Sequence, residues 1–161
     1  MKPVHKLWKI HIMSLDMNLE IEGGSPDWAA LEKAAKAAGV VELTNSFPHP
    51  ERKSGVTNFY KTEEQFDGWF LKSRTSFRLH KKASLGNISA EGVHGCDFKV
   101  QYVIVFRPPN SGYDEFVEEI RIFLSILADL SSMQFVLSFQ YEGVYATHNA
   151  TGFSFHWDKP K

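Results

Sequence analysis

The stretch Cys96 to Tyr141, CDFKVQYVIVFRPPNSGYDEFVEEIRIFLSILADLSSMQFVLSFQY, reads as a strand, a long helix and a second strand. Phe98, Val100, Tyr102, Ile104 and Phe106 alternate with Lys99 and Gln101, and Val103 and Val105 then make the other face apolar too. That pattern predicts a central strand, buried on both faces in its second half. Pro108 and Pro109 end it, because proline cannot donate to the ladder. Ser111, followed three residues later by Asp114, opens a helix, and Asp114, Glu115, Glu118 and Glu119 suit its positive N-terminal end. The helix runs to Leu130 or Ser131, roughly 28 Å at 1.5 Å per residue, and its charges exclude a membrane span.

On a helical wheel Phe116, Ile120, Phe123, Leu124, Leu127 and Leu130 share the face expected on the sheet. Ile122 and Ile126 fall on its flank in line with Glu115 and Glu119, a stripe acidic in its first half and apolar in its second. Either another element or a partner must cover it. Beyond the helix, Phe135, Leu137, Phe139 and Tyr141 alternate as the next strand.

Working outward, Trp8, Ile10 and Ile12 alternate, then Leu15, Met17, Leu19 and Ile21 do so in the other phase, which places a bulge or tight turn near Met13. Ser25 and Pro26 predict the start of a helix over 26–38, with Trp28, Leu31, Ala35 and Ala38 on its buried side and Gly39 ending it. Val40 to Leu43 is a short strand, and 45–57 is a polar loop rich in proline and glycine. Thr62 to Gln65 has the form of a capping box, so a helix is expected over 62–73, carrying Phe66, Trp69 and Phe70 and weakened by Gly68. Ser76–Lys82 and Asn87–Glu91 read as a hairpin joined through Leu85 and Gly86. A last hairpin turns around Asn149 to Gly152, with Phe153, Phe155 and Trp157 on one face. The expected fold is a single α+β domain over 1–161. Its sheet of about five to seven strands is largely antiparallel or mixed, packed against the long helix of about 111–131, with two shorter helices beside it.

A hydrophobic share of 43% is enough for a real core and excludes disorder. Eighteen basic against nineteen acidic residues give no global field to recruit nucleic acid or a membrane. The one cysteine, Cys96, cannot make an internal disulfide, so a cytoplasmic, reducing setting is expected. No signal-like apolar core and no bilayer-length stretch is seen, and the Asn149-Ala150-Thr151 sequon is then accidental.

His94 and Cys96 are the only neighbouring imidazole and thiol, a pair that can make a nucleophile or two metal ligands. A buried cysteine at a glycine-flanked strand start explains them as well. His148 and His156 could meet across the last hairpin, but no CxxC, HxxxH or HExxH pattern supplies further ligands, so neither metal nor cofactor is expected. There is no GxSxG elbow and no GxGxxG or Walker-type loop. The carboxylate pairs Glu63/Glu64 and Glu118/Glu119 each begin an expected helix, which is reason enough for them.

Arg74, Arg78, His80, Lys81 and Lys82, near Trp69 and Phe77, form the one basic cluster. Basic residues interleaved with aromatics on a strand can hold single-stranded nucleic acid, although lysines also protect sheet edges. Three function classes follow. The first is a non-catalytic binding or inhibitory protein, monomeric when unbound. By analogy of character it is a bacterial immunity protein that covers a cognate toxin's active site. Its partner surface would be Glu115, Glu119, Ile122 and Ile126, the acids steering a basic protein such as a nuclease toxin. The second is a single-stranded nucleic-acid-binding module using 69–82, through Arg74, Arg78, Lys81 and Lys82. The third is an enzyme whose site carries no familiar motif.

Overall fold

A computed structural model of the chain describes residues 16–46, 64–92 and 94–157. Eight strands form one sheet: β1 (Met17–Glu22), β2 (Val40–Ser46), β3 (Gln65–Phe70), β4 (Ser76–Gly86), β5 (Val100–Arg107), β6 (Phe135–Phe139), β7 (Gly143–Asn149) and β8 (Gly152–Phe155). Their order is β2-β3-β4-β5-β1-β6-β7-β8, and every strand pairing is antiparallel. Two α-helices are present among the described residues, α1 (Trp28–Ala37) and α2 (Tyr113–Leu130), the second entered through a 3-10 turn at Asn110–Gly112.

This corrects the expected architecture in two elements. Residues 62–73 do not make a short helix. Gln65–Phe70 is strand β3, with Phe66, Gly68 and Phe70 buried and Gln65 and Trp69 exposed. Phe66, Trp69 and Phe70 are spaced three and four apart, which mimics a helical face. Aromatic residues also favour strands, and here pairing with β2 and β4 decides. Gly68 is required because a Cβ there would lie 2.9 Å from Val40 Cγ1 on the neighbouring strand. Nor do 87–91 form a strand: β4 runs on to Gly86, and 87–92 and 94–99 are irregular before β5 begins. With β3 added to the pairs β1/β5, β6/β7 and β7/β8, the sheet exceeds the expected five to seven strands. The proposed irregularity near Met13, the expected strand at Trp8–Ile12 and most of the loop at 45–57 lie outside the described residues.

Helix starts differ in detail from the sequence expectation. Asp27 caps α1, its carboxylate accepting from Ala30 N at 3.2 Å, in place of Ser25. Gly112, not Ser111, precedes α2; a Cβ there would collide with the Ser73 backbone. The β3–β4 turn is pressed against the start of the helix at that point.

Both helices lie on one face of the sheet. Met17, Leu19 and Ile21 of the central strand, Ile104 and Phe106 of β5, and Phe116, Ile120, Phe123, Leu124 and Leu127 of α2 share the main core. A knot of rings joins the elements: Phe70 lies 6.0 Å from Phe106, 6.2 Å from Phe116 and 6.2 Å from Phe123. Leu130, expected in this face, is exposed at the end of α2. The opposite face is covered only in part. Ala90 and Phe98, with Ile88 and Cys96 beside them, pack on Val100, Val103 and Val136. Glu20, fully buried on β1, fixes that cover by accepting from Ser89 N at 2.6 Å and Ala90 N at 3.0 Å. Those two amides are thereby satisfied without a ladder.

Candidate functional site

The helix stripe foreseen for a partner is divided by the structure. Glu115 is exposed, and Ile122 and Ile126 are half-buried against the main core. Glu119 is 3% exposed, and its two oxygens accept from Lys72 N at 2.8 Å and Ser73 N at 3.1 Å. Its carboxylate is therefore committed within the chain, where it ties the β3–β4 turn to α2. Ser73 Oγ and Thr75 Oγ1, 2.6 Å apart, and Thr75 N donating to Ser73 Oγ at 3.2 Å lock the same turn from within.

This turn presents Leu71, which with Val41 the sequence reading did not single out, beside Trp69, which it placed on a helix. Leu71 is 59% exposed, and beside it Trp69 is 45% and Val41 38% exposed. Val41 and Trp69 are cross-strand partners on the outer face of β2 and β3. Leu71 joins two shallow grooves. One is lined by Val41, Glu42, Trp69, Phe70 and Arg74. The other, about 510 Å³, runs between the end of α1 and the first turns of α2, past Gly39, Lys72, Asp114, Glu115, Glu118 and Ile122. The result is an apolar centre with an acidic rim on one side and arginine on the other. The only sequence signal for it was three large apolar residues at the odd positions 41, 69 and 71, which the helical assignment of 62–73 concealed.

The basic cluster is divided as well. Lys81 lies on the helix side, 3.4 Å from Glu64 and 5.6 Å from the centre of the Tyr102 ring. The Tyr102 hydroxyl and Glu64 raise the Lys81 pKa, while burial raises that of Tyr102. Arg74 sits in the β3–β4 turn with φ +66°. Arg78 and His80 are exposed on the opposite face, with Lys82 half-buried two residues on. Arg107, not foreseen, joins them there through its pairing with Ser76, and it meets Asp16 at 3.0 Å.

Burial raises the Cys96 pKa, which keeps its sulfur as the thiol at neutral pH. His94 Nδ1 accepts from the Cys96 backbone N–H at 3.1 Å, and the thiol donates to the His94 carbonyl at 3.4 Å. The imidazole is thus not placed to remove the thiol proton. His148 Nδ1 is 2.7 Å from the Met133 carbonyl, and the described residues hold no cluster of three or more metal-ligating side chains. No described helix is long and apolar enough to cross a membrane. Comparison with family models, curated proteins and solved structures finds no match to this chain.

Proposed function

We propose that the protein is a non-catalytic binding domain, an immunity-type inhibitor that neutralises a basic protein toxin by covering it with the surface centred on Leu71. The observation that carries this reading is the exposure of Leu71, Trp69 and Val41 side by side. Large apolar groups gathered on a surface mark interaction sites, and tryptophan and arginine are the residues that most often dominate binding energy. Asp114, Glu115 and Glu118 border the groove that runs from Leu71. They give a field that speeds encounter with a basic partner, such as a nuclease. Compared with the stripe first inferred, Glu115 keeps its steering role. Ile122 forms the groove floor, and Leu71 takes over the central contact from Ile126.

The test is calorimetric titration of the chain with the product of the gene immediately upstream of its own. A complex should form, and Leu71→Asp should weaken it by about 2 kcal/mol or more, as hot-spot loss does. The melting temperature should stay unchanged, because Leu71 makes little use of the core. A complex that tolerates Leu71→Asp, or no complex at all, contradicts the proposal.

A further inference from the structure

From the open half of the sheet's outer face we infer a second site, one that holds a segment of single-stranded nucleic acid; it shares Trp69 and Glu42 with the Leu71 surface and differs from it in Arg78 and Arg107. Among the described residues, the cover made by 87–92 and 94–98 shields the outer face over β5, β1 and β6, and none lies over the β2–β4 side. There a groove of about 350 Å³ lies over the β3–β4 pairing beside the β3–β4 turn and the end of β5. Trp69, Ser76 and Arg107 are successive cross-strand partners. With strands about 4.8 Å apart, the indole and the guanidinium stand on either side of a small serine, roughly 10 Å from each other.

A base laid on the Trp69 ring has room above Ser76, and its phosphates reach Arg107 on one side and Arg78 one pleat further along. Arg78 makes no ion pair among the described residues, and His80 continues the same row of outward side chains. Glu42 and Asp67, which also line the groove, accept hydrogen bonds only, which suits the exocyclic amine of a base and keeps the phosphates to the arginine side. Stacking plus a few phosphate contacts on an open antiparallel sheet is the chemistry of single-strand recognition. It requires no net positive charge on the whole chain.

Fluorescence anisotropy with a labelled oligothymidylate and an oligoadenylate at low salt tests this, with a duplex and a poly-glutamate peptide as further probes. Single strands should bind, with log affinity falling against log salt at a slope of about −1.4 for two phosphate contacts. Trp69→Ala should weaken binding about tenfold or more. Arg78→Ala and Arg107→Ala should each flatten the salt slope by about 0.7. Lys81→Ala, on the other face, should change neither, and all variants should melt with the parent protein. Absence of binding at low salt overturns the inference. So does equal binding of duplex or poly-glutamate, or affinity indifferent to Trp69→Ala and Arg78→Ala.

Discussion

Two buried glutamates set the local geometry on opposite faces of the sheet, each by accepting from two consecutive backbone amides. Glu119 holds the turn that displays Leu71, and Glu20 holds the irregular cover. A carboxylate accepting two amides in a buried place is a charge-assisted arrangement, and its loss leaves those donors without a partner. Glu119→Ala should therefore lower stability by ~1–3 kcal/mol. Amide exchange at Lys72 and Ser73 should quicken more than at residues of β5. If exchange there stays slow, the turn is held by something else. Cys96 supports a second prediction at this scale. Because burial raises its pKa, the thiolate fraction at neutral pH is smaller than that of an ordinary cysteine. Iodoacetamide should label it more slowly than glutathione at neutral pH, the rate climbing as pH rises through and beyond the usual thiol range. Labelling as fast as glutathione at neutral pH would show an activated sulfur.

At the scale of elements, β1, β5, β6 and α2 were legible because their apolar residues repeat with the period of the structure they form. Residues 62–73 were not, since Phe66, Trp69 and Phe70 satisfy a helical spacing while Phe66, Gly68 and Phe70 satisfy a strand's. The deciding contact, Val40 against Gly68, comes from another strand. The buried carboxylates were illegible for a related reason: their partners stand 46 to 70 residues away in the chain. A glutamate at a helix start therefore reads as solvated until the fold brings amides to it. The same applies to the surface at Leu71, which exists only because β3 and the start of α2 meet at Gly112. Gly68→Ala separates the two assignments for this segment. In an exposed helix the change would add about 1 kcal/mol of stability. In β3 the new Cβ presses on Val40, and the domain should lose ~1–3 kcal/mol by chemical denaturation.

For the whole molecule, the sheet divides the labour. One face carries both helices and the main core. The other, among the described residues, is covered over β5, β1 and β6 and open over β2–β4. Val41, Trp69 and Leu71, the acids Asp114, Glu115 and Glu118, and Arg74 meet around the β3–β4 turn. That concentration of features on a rigidly held turn is the basis for reading the protein as a binding domain. On the proposed reading, in which the upstream gene product is the toxin, the most direct measurement is growth of cells that express that product together with this chain. The wild-type chain should restore growth, as should Arg78→Ala, whose side chain lies off the Leu71 surface. Leu71→Asp should fail to restore it while accumulating to the same level and melting at the same temperature. Rescue by Leu71→Asp equal to that by wild type, or failure of the wild-type chain to rescue, contradicts the account.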